Sequence, residues 1–275
     1  NMAIKAADVA KLRKMTGAGM MDCKKALEEA NGDFDGAVKI IRERGQEVAK
    51  KRSDREATEG VVLAKSSDDR KKAAMVVLNC ETDFVAKNDD FVKFASKILD
   101  KAIEEGPANL EALKSVKIDD TTIGEKVTEQ VGIIGEKIEL SHYAFAEAED
   151  LTAYIHPGNK LAAIVGFDKQ IDPEVGKDVA MQVAAMAPVA IDKDGVKQEI
   201  IDQEMEIFKE KARQEGKPEE MLEKIATGRL NKFFKESTLL NQEFVKEGKK
   251  SVADYIQEKA GDAKVVAMER YTLNA

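Results

Sequence analysis

From Val61 to Phe91 the chain reads VVLAKSSDDRKKAAMVVLNCETDFVAKNDDF. Two short runs, Val61-Val62-Leu63-Ala64 and Met75-Val76-Val77-Leu78, are rich in Val and Leu and flank the polar segment Ser66–Lys72. That pattern predicts a β-hairpin. Asn79–Asn88 follows as a loop. Phe91, Phe94, Ile98 and Ala102 then recur at helical spacing until Gly106-Pro107 stops them. Strands and a helix in so short a span predict an α+β fold.

Downstream, Leu110 and Leu113 predict a short helix and Ile123–Ile134 another. Ile138, Leu140, His142, Ala144 and Ala146 alternate as a strand. Leu151–Ile155 and Leu161–Phe167 are strand-like around the turn His156-Pro157-Gly158-Asn159. Asp172-Pro173-Glu174 opens a helix whose stripe is Val175, Val179, Val183 and Met186. The strand–strand–helix order thus occurs twice. Val196–Arg213 and Pro218–Lys235 are charged amphipathic helices parted by Gly216-Lys217-Pro218, the pattern of a projecting helical hairpin. A short helix over Val252–Ala260 and a strand over Val265–Tyr271 end the chain. That strand is expected to return to the sheet of Leu161–Phe167, which makes the hairpin an insertion.

Upstream, Val9, Leu12 and Met15, then Met20, Cys23, Leu27 and Ala30, then Phe34, Val38 and Ile41 give three short helices. Gly17-Ala18-Gly19 and Asn31-Gly32-Asp33 separate them. Arg44–Gly60 has no apolar stripe and reads as a linker with some helix. The expected division is 1–56 for the bundle and linker, 57–143 for one core subdomain, 144–192 with 236–275 for the other, and 193–235 for the hairpin.

The chain has 275 residues, 43% hydrophobic and 35% charged, which fits a folded globular protein. Residues 1–55 hold 13 Lys+Arg against 9 Asp+Glu; the rest hold 31 against 43. A basic module on an acidic body points to separate partners or separate faces rather than to nucleic acid. Aromatics at 5%, with no Trp, argue against a base-stacking groove. The longest apolar run, Ala73–Leu78, is far short of the roughly 20 residues of a membrane-spanning helix. Asn1-Met2-Ala3-Ile4-Lys5 has no apolar signal core, and Asn1 reads as an added remnant. The expected location is the cytoplasm, with no membrane contact.

Cys23, Cys80, His142 and His156 lack metal-ligand spacing, so no metal and no cofactor are expected. The Gly-Lys pairs at 176, 216 and 248 lack the upstream Gly of a phosphate loop, so no direct nucleotide binding is expected. No G-x-S-x-G or H-E-x-x-H occurs. This favours a binding protein over an enzyme. His142 reads as structural and His156 as solvated. Phe84 stands out in a polar loop between strand and helix. Either it folds back to cap the local core, or it is a presented apolar anchor beside Asp83.

TGAGMMDCKKALEEANGD at Thr16–Asp33 and NCETDFVAKNDDF at Asn79–Phe91 closely resemble the bacterial translation elongation factor Ts family. So do His156-Pro157-Gly158, VAMQVAAMAP and EGKPEEMLEKIATGRLNKFFKESTLLNQEFVKE, in order along the chain. The resemblance implies a guanine-nucleotide exchange factor for elongation factor Tu, a GTPase that carries aminoacyl-tRNA. Such a factor binds the GDP form and promotes GDP release. It implies an amino-terminal ubiquitin-associated-like bundle that docks on the GTPase and a core of two related α+β subdomains. The inserted coiled coil could support a homodimer within a larger complex.

The family motif that dislodges magnesium maps onto Thr82, Asp83, Phe84 and Val85. Its docking surface maps onto Arg13, Met20, Met21 and Lys24, with one of the adjacent methionines expected to be presented. His156 matches a turn histidine. Phe244 and Val245 match a second contact, where Glu243 and Lys246 depart from the family pattern. From the residues alone, a non-enzymatic adaptor and an enzyme with Cys80 as nucleophile are the rival readings.

Overall fold

The computed structural model describes residues 3–274. Asn1, Met2 and Ala275 lie outside them, and with them the reading of Asn1 and the outermost ends of the expected division. Helices α1 (Ala6–Thr16), α2 (Met20–Glu29) and α3 (Phe34–Lys51) form the amino-terminal bundle around Leu12, Cys23, Leu27, Val38 and Ile41. Gly17 ends α1 at φ 77°, a conformation that glycine adopts without a Cβ penalty, and its N–H closes on the Arg13 carbonyl.

The expected linker at Arg44 needs correction. Its first eight residues are the last two turns of α3. The covered face there is Gly45, Val48 and Ala49, too few apolar side chains to read as a stripe. Gly45 is buried, and a Cβ on Gly132 would lie 2.6 Å from the Gly45 Cα. The two backbones touch, and only glycine permits that.

The chain continues through β1 (Glu59–Ser66), β2 (Lys72–Cys80), the single turn α4 (Asp83–Ala86), α5 (Asp89–Glu105), α6 (Leu110–Lys114), the two-residue strands β3 (Lys117–Ile118) and β4 (Thr121–Thr122), α7 (Ile123–Ile134) and β5 (Glu139–Glu147). Then come β6 (Asp150–Ile155), β7 (Leu161–Phe167), α8 (Pro173–Met186), α9 (Gln198–Gln214), α10 (Leu222–Ser237), α11 (Val252–Ala260) and β8 (Val265–Thr272). The fold is α+β.

Two antiparallel three-stranded sheets, ordered β1-β2-β5 and β6-β7-β8, stack face to face. Each places the second strand of a hairpin at its centre and the last strand on the far edge. The run Ala73–Leu78 is apolar throughout because β2 is covered on both faces. Ala73, Met75 and Val77 meet Leu151, Ala162 and Ile164 of the second sheet, while Ala74, Val76 and Leu78 meet the helices. Helices α5 and α7 cover the outer face of the first sheet. Val175, Val179 and Val183 of α8 cover that of the second. β5 runs unbroken to Glu147, so the expected boundary at 143/144 would cut a strand; the turn at Ala148–Glu149 divides the sheets instead.

Helices α9 and α10 pair through Leu222, Ala226, Leu230 and Phe234, with Ala212 from the opposing helix. Ion pairs Arg213–Glu219 and Arg229–Glu215 brace the far end of the arm. At its neck a bridge joins Ala190 to Thr238, so the arm leaves and re-enters the body at adjacent points. Among the described residues, no helix is long and apolar enough to cross a membrane.

Candidate functional site

The segment after β2 is an ordered turn rather than an open loop. Thr82 caps α4, its hydroxyl accepting the Val85 N–H at 3.4 Å. Asn88 caps α5, its side-chain oxygen accepting the N–H groups of Asp90 and Phe91. Between the two caps Val85 turns inward onto the first core cluster, and Phe84 turns out with 85% of its surface exposed. Phe84 therefore does not cap its own core. Asp83 pairs with Lys87 at 3.4 Å, both side chains half-exposed or more, a weak surface ion pair.

Two carboxylates fix the backbone beneath Phe84. Glu136, just past α7, accepts the Glu81 and Thr82 N–H groups at 3.0 Å each and the Thr82 hydroxyl at 2.7 Å. Glu81 accepts two hydrogen bonds from the Arg52 guanidinium, at 3.0 and 2.9 Å, and one from the Lys137 N–H at 2.9 Å. The Arg52 fork, with the Lys137 N–H, holds the Glu81 carboxyl down at about 2. Neither Glu136 nor Arg52 was singled out from the sequence. Glu136 lies more than fifty residues from the turn it holds, and no local pattern marks such a pair.

Cys80 is buried at the base of this turn. Burial pushes its thiol up to about 12, so thiolate is scarce near neutrality and the nucleophile reading loses its chemistry. Among the described residues there is no cluster of three or more metal-ligating side chains.

An open cleft of about 740 Å³ separates the Phe84 turn from the bundle. Phe84, Val85 and Phe94 line one side and Arg13, Lys14 and Gly17 the other. Arg13 and Lys14 also line a neighbouring groove of about 650 Å³ on the bundle, with Val9, Met20 and Lys24. The structure thus brings Arg13, Met20 and Lys24 onto one surface that adjoins Phe84. Both methionines are exposed, Met20 by 58% and Met21 by 62%, where only one was expected. The covered stripe of α2 starts at Cys23, and Ala18 fills the place ahead of it, so neither methionine is needed inside.

His156 is exposed, its Nδ1 2.9 Å from the Tyr154 hydroxyl. Its turn is tied to β1, where the Val62 N–H donates to the Asn159 carbonyl at 2.7 Å and Lys160 meets Glu59. Glu59 pairs with Cys80 in the ladder, so the His156 turn and the Thr82 turn share one end of the first sheet.

Phe244 requires a correction. Only 1% of it is exposed, and it stacks on Tyr255 with ring centroids 4.1 Å apart, so it is a core residue and not a contact. Val245 beside it is 54% exposed. Buried Gln182 shapes this loop, donating to the Glu243 carbonyl and accepting the Val245 N–H. Lys246 sits on Asp178 at 2.8 Å, which gives its departure from the family pattern a structural use.

A family model described as Elongation factor TS matches residues 81–275. The Elongation factor Ts of Porphyromonas gingivalis is 50% identical over 275 residues, covering all of both chains. That of Amoebophilus asiaticus is 51% identical over 277 aligned positions, again covering both chains in full. That of Christiangramia forsetii is 50% identical over 272 residues and 98% of each chain.

Proposed function

The chain belongs to the elongation factor Ts family, a family of translation elongation factors, and from that premise we propose that it is the guanine-nucleotide exchange factor of elongation factor Tu. In this reading it binds the GDP form, promotes GDP release and makes or breaks no covalent bond. The observation that carries it is Phe84, an 85% exposed aromatic on a turn fixed at both ends, facing a cleft that adjoins the basic surface of Arg13 and Lys24.

GDP is held in such a GTPase by phosphate contacts and by Mg²⁺. Mg²⁺ demands near-ideal octahedral geometry, so a small shift of its surroundings weakens the grip. An aromatic side chain driven into an apolar cleft beside the ion supplies that shift. Thr82 and Val85 hold Phe84 at its angle, and Asp83 brings a carboxylate to the same edge. Arg13, Met20, Met21 and Lys24 dock the bundle, with His156 and Val245 as outer contacts. Docking free energy offsets the cost of distorting the nucleotide site. Linkage makes the effect reciprocal: a factor that weakens GDP binding is itself weakened by GDP in the same ratio. Nucleotide rebinding therefore expels the factor, which acts again.

Stopped-flow release of a fluorescent GDP from elongation factor Tu tests the reading. Phe84→Ala should cut the maximal release rate at least about tenfold, the effect of losing one interface anchor, with an unchanged circular dichroism spectrum. Undiminished stimulation by that variant would overturn the assignment. A chain that bound the GTPase without accelerating release would instead be an adaptor.

A further inference from the structure

A wedge works only if it does not recoil. Helix α4 is a single turn of four residues, too short to hold its own shape. Its rigidity must come from outside, and two carboxylates supply it. Glu136 collects three hydrogen bonds from the two residues that lead into the turn. Hydrogen bonds to a carboxylate are stronger than those between neutral groups. Glu81, between the strand and the turn, is gripped by Arg52. Arg52 is the cap residue of α3, the longest helix of the bundle that carries the docking surface. The turn is therefore fastened on one side to the end of α7 and on the other to the end of α3. These two helices are themselves locked backbone to backbone at Gly45 and Gly132.

We infer that Glu136 is a positioning residue for Phe84, and that Arg52, through Glu81, ties the same turn to the helix of the docking bundle. Neither side chain belongs to the contact surface. Glu136 braces the turn against load, and Arg52 ties it to α3, the helix against which the docking helices α1 and α2 pack, so that docking sets the aim of Phe84. This inference rests on the exchange reading above and assigns to that reaction two residues outside the Thr82–Val85 motif.

The test uses the full chain and elongation factor Tu loaded with fluorescent GDP, separating the maximal release rate from the half-saturating concentration. Glu136→Ala should lower the maximal rate about tenfold while half-saturation moves less than about twofold, because aim is lost and docking is not. On a Phe84→Ala background the same change should cost less than about twofold, since coupled residues are not additive. Arg52→Met should lower the maximal rate about threefold or more, and Arg52→Lys should recover part of it. A wild-type maximal rate for Glu136→Ala overturns the inference, as does a full tenfold loss that persists without Phe84. If Phe84→Ala alone leaves release unchanged, the wedge reading fails and this one falls with it, a result distinct from failure at Glu136 alone. Should Glu136→Ala not fold, Thr82→Val and Arg52→Met decide by the same criteria, each measured with and without Phe84.

Discussion

Phe84-Val85 and Phe244-Val245 are the same dipeptide turned opposite ways. In the first the aromatic is out and the valine faces the core; in the second the aromatic is sealed and the valine is 54% exposed. The difference lies in what holds the backbone. At Phe84 two caps, two carboxylates and the inward packing of Val85 and Ala86 fix the chain, so the aromatic is free of any structural duty. At Phe244 the ring itself is the fastening, stacked on Tyr255 while Gln182 holds the neighbouring main chain. An exposed aromatic is available to a partner only where something else does the folding.

Stability measurements strain that contrast most. Phe244→Ala should lose about 3–5 kcal/mol, the usual cost of emptying a core aromatic site, whereas Phe84→Ala should change stability by less than about 0.5 kcal/mol. Urea denaturation followed by circular dichroism measures both, and similar values for the two would break the comparison. Next come the valines. Val85→Asp should destabilise by about 1–3 kcal/mol through a half-buried charge. Val245→Asp should leave the melting temperature near its original value and raise half-saturation in the exchange assay about tenfold if that valine meets the partner.

Lys24→Ala should be milder still, raising half-saturation roughly two- to fivefold with an unchanged maximal rate, as expected for a charge at the edge of a contact. A drop in maximal rate would move Lys24 from docking to aiming. The smallest effect concerns His142, between the sheets that bear the two dipeptides. Its ring stacks on Tyr271 with centroids 4.7 Å apart, and its Nε2 is buried with no hydrogen-bond partner among the described residues. Burial holds its pKa below the ordinary histidine value. The unfolded chain therefore takes up a proton more readily than the folded one, and stability falls as pH drops below about 6.5. Replacing His142 by Phe should flatten that part of a melting-temperature profile measured from pH 7.5 to 5.5; an unchanged slope would clear His142 of the effect.

Most of the secondary structure was legible because it is periodic. The α5 stripe and the two helices of the arm each repeat an apolar residue at the interval their geometry requires, and the β2 run is marked by its continuous Val- and Leu-rich stretch. What escaped lacks a period. The end of α3 is covered through Gly45, Val48 and Ala49, too few apolar side chains to look like a stripe. α4 is a single turn, too short for any spacing to recur. For the site, the residues around Phe84 could be singled out, but not its orientation. That is decided by Glu136 and Arg52, far away along the chain. Phe244 gave the converse error, because its partner Tyr255 lies beyond an intervening loop.

The neck of the arm has a consequence for how such chains vary. Val189 donates to the Ser237 carbonyl, and Leu239 donates to the Ala190 carbonyl, so the outgoing and incoming segments are already stitched together before the first turn of α9. Everything between them hangs from a closed seam. Lineages can lengthen, trim or exchange that appendage without renegotiating the sandwich beneath it, and a protein engineer can graft a foreign hairpin at the same two residues.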